Sequence, residues 1–508
     1  METPKHIENS AIPEKELKRC KIAIIADLHF DRSPNAAIPQ RKGEFADILL
    51  LRTVHRLNRF IKPDIVLAAG DFIDKPLSPD APQLLAELKA ILDKLQCPYI
   101  AIPGNHDPVP ALFYNIFKRP EPFTDIGGVR IVSFPDDPEE PGYNASRSRE
   151  NIRLFEDARK GFSGPVISFQ HVPLFPPGLT GCPYNYTNSE DILKTMTSFG
   201  ISFSIAGHYH TGFSDVRKDG ISFTAAPALC EDPFRFAVME VDRSGAASFE
   251  MHHLKNPDKF SLTDFHIHTD LAYCNENMNV AKILALKKMM GLRNAAFAEH
   301  SGHLYFDKHV YYSGKYIFED VENSADNRFG LYFQRLDEAG SEMLRGIEID
   351  NGAGGRALIT KEHFSSFNVR LGAVHQLEEL LKPEADKNAV IREFMTVTEN
   401  FLKSGINILA HPFRVFRRAK LEIPSELFAP LVDMLKENNV AAEINFHTNE
   451  PPLEFFRLCV EKKIKISFGS DSHNLYEVGE FYPHIELMKK IVPESDIDKC
   501  LLHGDDLS

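Results

Sequence analysis

KNPDKFSLTDFHIHTDLAYC, residues 255–274, decides how the chain is divided. It opens on Asn256-Pro257-Asp258, which breaks regular structure, and then starts a strand carrying His266 and His268 two residues apart. Alternation along a strand puts both rings on one face, as two ligands of one ion require. Upstream lie Asp-x-His, Gly-Asp, Gly-Asn-His-Asp, a single histidine and Gly-His-x-His; downstream comes a second series of His, Glu and Asp. Two sets of metal-type ligands on either side of a short polar break predict two domains, over 20–254 and 261–490.

The 508 residues exceed what one core organises, and suit two domains of about 250 residues each. A hydrophobic fraction of 43% with 26% charged residues belongs to a globular protein. The formal net charge of −14 repels polyanions and counts against clamping long nucleic acid, though bound cations reverse the field locally. Seven scattered cysteines with no Cys-x-x-Cys pair point to a reducing, cytoplasmic setting. Residues 1–20 read as a polar, mobile lead-in without a signal-peptide core, and no apolar run is long enough for a membrane helix.

In the first half, KIAIIADLHF, DIVLAAGD and PYIAIPGNHD are apolar runs that each end on polar ligand-type residues. Helical periodicity over 44–61 and 82–95 fills the gaps, giving β-α-β-α-β. Further short strands follow, with a polar surface loop over 136–149 and a Pro/Gly-rich rim carrying Tyr184 and Tyr186, which are candidates to stack on a base. Phosphoester hydrolysis needs an activated water and neutralisation of phosphoryl charge, and two cations about 3.5–4 Å apart supply both. Asp71 is placed to bridge them. Asp27, His29 and His210 complete one set, Asn105, His171 and His208 the other, and His106 stands beside them as an acid for the leaving group.

Asp27-Leu28-His29, Gly70-Asp71, Gly104-Asn105-His106-Asp107, His171 and Gly207-His208-Tyr209-His210 resemble, in this order, the motifs of calcineurin-like metallophosphoesterases. The resemblance implies a sandwich of two mixed sheets flanked by helices and a two-metal site holding Mn, Fe or Zn.

In the second half, strands alternate with helices and end on Glu299-His300, Glu348 and Asp350, His375, His411, and Asp471 with His473. Such a repeat is the pattern of an α/β barrel with its site at the strand ends. His266-x-His268, Glu299-His300, Gly346-Ile347-Glu348, His375, His411-Pro412 and Ser470-Asp471-Ser472-His473 resemble the polymerase-and-histidinol-phosphatase (PHP) family. That resemblance implies a distorted (β/α)7 barrel with two or three metals. His266, His268, Glu348 and Asp471 would hold the first, and Glu348, His375 and His411 the second, with Glu348 bridging. His300, His473 and a further residue would hold the third. Cys274 stands where the family commonly has Asp or His, and a thiolate there favours zinc or iron.

Arg414 and Arg417, with Arg418, follow His411 and are candidates to clamp a phosphate. His55, His252, His253, His309, His363, His447 and His484 read as surface or core residues, while His303 follows His300 too closely to be set aside. The expectation is a bifunctional phosphoesterase using metal-activated water on a small phosphorylated or nucleotide-like substrate. The alternatives are a nuclease and a chain in which one half serves only as a binding scaffold.

Overall fold

The computed structural model describes residues 19–324 and 327–507. The lead-in expected over 1–20 lies, but for its last two residues, outside them. The chain forms two compact units that divide between His253 and Leu254.

Two sheets build the first unit. One runs Ala247–His253, Arg235–Val241, Cys20–Ile25, Ile65–Ala68, Tyr99–Ala101, with the last three strands mutually parallel. The other runs Phe213–Lys218, Ile221–Ala225, Phe203–Ala206, Val166–Phe169, Val129–Ser133, Phe123–Ile126, parallel at its centre and antiparallel at both edges. Ile22, Ile24, Leu67 and Ile100 from the first sheet join Ile131, Ile167, Phe169 and Ile205 from the second in one apolar core. On the other side of the second sheet, Val132, Val166 and Phe223 pack with Phe155, Ile192 and Met196 of helices Arg149–Arg159 and Ser189–Ser198. The central strands are apolar on both faces because both faces are covered. The loop expected over 136–149 contains a small hairpin, Glu139–Glu140 with Asn144–Ala145.

The second unit is one sheet of seven parallel strands in chain order, from Thr263–Ile267 to Ile466–Gly469. A parallel bridge between Ile267 and Ser472 brings the last strand's end beside the first, so the sheet nearly closes into a barrel. The unit begins before residue 261 and runs past 490. The Asn256 amide donates to the Met290 and Gly479 carbonyls, each at 2.9 Å, and the Gly504 N–H donates to Thr263 Oγ1 at 3.0 Å. Leu501 bridges Ile466 at the sheet. The described residues of 304–345 include short helices and the longer helix Phe329–Ala339.

Candidate metal centres

In the first unit each strand hands its ligand-type residue to one edge of the sandwich. Asp27 and His29 follow Cys20–Ile25, Asp71 follows Ile65–Ala68, and Asn105 and His106 follow Tyr99–Ala101. His171, and then His208 with His210, follow the two central strands of the second sheet. Four of these residues turn inward through left-handed backbone, with φ of 56° at Asp27, 45° at His29, 56° at Asp71 and 65° at His208. That conformation is costly for residues with a Cβ and collects at functional sites.

The Asp71 carboxylate faces two ways, Oδ2 lying 3.6 Å from His29 Nε2 and Oδ1 3.5 Å from His171 Nε2. His171 Nδ1 donates to the Ala69 carbonyl (2.6 Å) and His208 Nε2 to the Tyr143 carbonyl (3.0 Å). These bonds leave His171 Nε2 and His208 Nδ1 as lone pairs, yet they stand 3.1 Å apart, with Asn105 Oδ1 also 3.1 Å from the former. On the other side, His210 Nδ1 bonds Glu231 at 2.7 Å and His29 Nδ1 lies 3.4 Å from Asp74, while the two Nε2 atoms approach to 3.0 Å. Acceptors that converge with no proton to share make a cation's position, and a carboxylate behind a ligating histidine fixes its tautomer. Among the described residues the buried Oδ2 of Asp27 has no hydrogen-bond partner. The donor set therefore fits divalent metal.

Electrostatics agree. Burial holds His29 down to about 4, and burial with His171 takes His208 to about 3, so both rings are neutral ligands at pH 7. Burial opposes the Asp71 charge, but His171, His29 and His106 outweigh it and keep the carboxyl well below its usual range. Burial and Asp71 raise Asp27. Asp107, from the same motif, is no ligand. It accepts from the Phe72, Ile73 and Gly104 N–H groups and so braces the turn.

The second unit repeats this logic at the carboxyl ends of its strands. Glu348 stands among histidines: its Oε1 is 2.8 Å from His411 Nε2, 3.4 Å from His375 Nε2 and 3.5 Å from His266 Nε2, and its Oε2 is 2.5 Å from His300 Nδ1. His268 Nε2 lies 3.0 Å from Asp471. Carboxylates hold the far sides of the rings, Glu443 at His266 (2.8 Å), Asp350 at His375 (2.7 Å) and Glu299 at His268 (3.2 Å). The buried Nε2 atoms of His266, His375 and His473 have no hydrogen-bond partner among the described residues, as a ligand set requires. His268, His300 and His473 bring their ligand atoms within 4.8 Å of one another, and so do Cys274, His300 and His303. His411 and Asp471 also use left-handed backbone, at φ 27° and 54°.

Residues 20–212 match the calcineurin-like phosphoesterase family. They form a calcineurin-like phosphoesterase domain. The chain is a phosphoester hydrolase, and phosphoesterases of this family use divalent metals. A probable cyclic nucleotide phosphodiesterase from Synechococcus is 27% identical over 251 residues, covering 46% of this chain and 91% of that protein. Among solved structures, a dimetal phosphatase from Danio rerio aligns over 46% of this chain and 98% of its own at 17% identity and TM-score 0.36. The Plasmodium inner-membrane-complex anchor GAP50 aligns over 46% and 88% at 10% identity and TM-score 0.30. No helix among the described residues is long and apolar enough to cross a membrane.

Some sequence expectations meet a different geometry. In the phosphoesterase domain Tyr184 lies against His208, ring centroids 4.6 Å apart, but Tyr186 is buried and its hydroxyl donates to Asp137 at 2.8 Å. Tyr186 is thus held in the wall of the groove beside His171 and His208, with its hydroxyl already engaged. In the second unit Arg414 is buried, ion-paired with Asp471 and bonded to Asn445 and His447, and Arg417 pairs with Glu450 at 3.1 Å. Neither is free to clamp a phosphate; Arg418 is the member of the trio that lines the cleft beside His300 and His375. The sequence reading passed over Asp74, Glu231 and Glu443 altogether. His447, read as surface or core, stacks on His473 at 4.7 Å.

Proposed function

We propose that the chain carries two metal-dependent phosphoesterase sites, the phosphoesterase domain acting on a small, nucleotide-like phosphoester and the second unit being a PHP-type barrel with its own hydrolytic site. The observation that carries this reading is the doubled arrangement of a buried carboxylate with its oxygens turned to different histidines, at Asp71 and at Glu348.

Asp27, His29, Asp71 and His210 would hold one ion of the first site, and Asp71, Asn105, His171 and His208 the other. In the second unit His266, His268, Glu348 and Asp471 form one set, and Glu348, His375 and His411 another. His300 and His473 would hold a third with Cys274, which gathers with His300 and His303. Bound divalent cations supply Lewis acidity and neutralise phosphoryl charge. The chain's own residues do the rest. His106 Nδ1 donates to the Asp74 carbonyl at 3.1 Å, and the doubly protonated ring would pass its Nε2 proton to the departing oxygen. Glu231, Asp350, Glu299 and Glu443 keep the ligand rings in one tautomer. The probable cyclic nucleotide phosphodiesterase relative supports a nucleotide-like substrate for the first site, and the net charge of −14 disfavours long nucleic acid.

The test is a panel of bis-aryl phosphate, aryl monophosphate, cyclic nucleotides and short oligonucleotides, run with Asp71→Asn and Glu348→Gln separately. Each change should abolish one activity, by about 10³-fold or more, and spare the other. Loss of both activities from either change would refute independent sites.

A further inference from the structure

A groove of about 320 Å³ opens directly beside Asn105, His171 and His208. Its walls are in larger part apolar, with Val109, Phe134, Pro138 and Tyr143 among them, and Val109 and Tyr143 are 63% and 56% exposed. Exposed apolar side chains gathered beside a site mark a binding surface more often than chance. The charged residues that line it are all acids, and no lysine or arginine does so among the described residues. Asp136 and Asp137 are matched by Arg119 and Arg147, whereas Glu139 makes no ion pair among the described residues. The groove is therefore neutral to negative along its length.

Tyr143 ties this groove to the ligand cluster. Its backbone is left-handed (φ 61°), its carbonyl accepts from His208 Nε2 at 3.0 Å, and its ring stands 6.2 Å from that of Tyr184. One strained residue thus orients a ligand ring with its main chain and offers an aromatic face with its side chain.

We propose that this groove is a specificity subsite of the first unit, taking the uncharged, flat, apolar substituent of a phosphodiester and refusing one that bears a second phosphate. A substituent continuing as a polynucleotide would bring its next phosphate toward Glu139, whose like charge disfavours it. This rests on the reading of the first unit as the diester-cleaving site.

The experiment uses full-length, metal-replete protein carrying Glu348→Gln. Its substrates are bis(p-nitrophenyl) phosphate, methyl p-nitrophenyl phosphate, and the p-nitrophenyl ester of thymidine 5′-phosphate with and without a 3′-phosphate. The 3′-phosphate should lower kcat/KM by about tenfold or more, and Glu139→Lys should narrow that gap. Val109 lines the groove and, among the described residues, bonds no ligand ring, so Val109→Ser alters the apolar wall alone. It should raise KM for the bis-aryl diester about tenfold with kcat within about twofold, and leave the methyl ester little changed. Equal kcat/KM for the nucleotide pair would overturn the assignment, as would a Val109→Ser protein whose KM for the bis-aryl diester is unchanged. Asp71→Asn separates the two claims. If it abolishes turnover while the pair is equal, only the subsite falls; if turnover survives it, the diester-cleaving site falls too.

Discussion

Glu231 would touch no cation, yet at 2.7 Å from Nδ1 it determines which nitrogen His210 presents. Removing such a support typically costs about 10–100-fold in metal affinity. Glu231→Ala should weaken metal binding in the first unit by that factor with the fold intact, as chelator competition alongside circular dichroism would show. Glu443 is a different case. It accepts from His266, from the His411 N–H and from the Asn445 amide, and it is fully buried, so its loss would also destabilise the barrel. At this scale the sequence discloses residues of the inner ring and conceals those behind them. Asp27, Asp71 or His411 is visible because an apolar run stops on it. Glu231 lies outside any motif, and Glu443 sits inside the run AAEIN, where alternation alone does not say which carboxylate faces a histidine.

Elements impose their own demands. A Cβ at Gly104 would stand 2.2 Å from Asp71 Oδ1 and 2.6 Å from the His171 ring, so the turn after Tyr99–Ala101 passes too close to its ligands for a side chain. Gly104→Ala should cut metal content and turnover in the first unit sharply and lower that unit's melting with them, which metal analysis beside calorimetry would follow. Strand Ala247–His253 carries a pH response far from either cluster in sequence. His252 is buried, stacked on Phe236 at 5.1 Å, and burial together with Arg56 lowers it to about 4. Its neutral form belongs to the folded state, so its contribution is complete above about pH 6.5 and is lost as pH falls toward about 4. Between pH 7 and pH 5 the unfolding free energy should drop by about 2 kcal/mol through this group, a drop absent from His252→Gln in urea titrations. Strand order in the barrel could be read from the repeat itself. The helices within 304–345 could not, since aromatic and charged residues there follow no clean period, and His303 gains its place beside Cys274 only through the short turn Ser301–Tyr305.

For the whole molecule, the polar break near 257 is the sequence's mark of a division, the compact units part between His253 and Leu254, and the seven strands of the second unit keep chain order. The sequence could not foretell that the segment after 490 returns to the sheet through Leu501 and Gly504, because its few apolar residues make no pattern. Each unit buries a crowd of carboxylates and imidazoles that cations would relieve, and a ligand bound only by the folded state stabilises it. Chelation should therefore lower both unfolding transitions in calorimetry by several degrees, and restoring metal should reverse it. A transition that does not move would identify a unit without metal.

The left-handed residues Asp27, His29, Asp71, His208, His411 and Asp471 have one consequence beyond aiming ligands. Each is a spot where glycine would ease the main chain while deleting the group that works there. On the proposed two-site reading, toughness and turnover would pull against each other at these six points, and relaxing the backbone there would blunt the enzyme first.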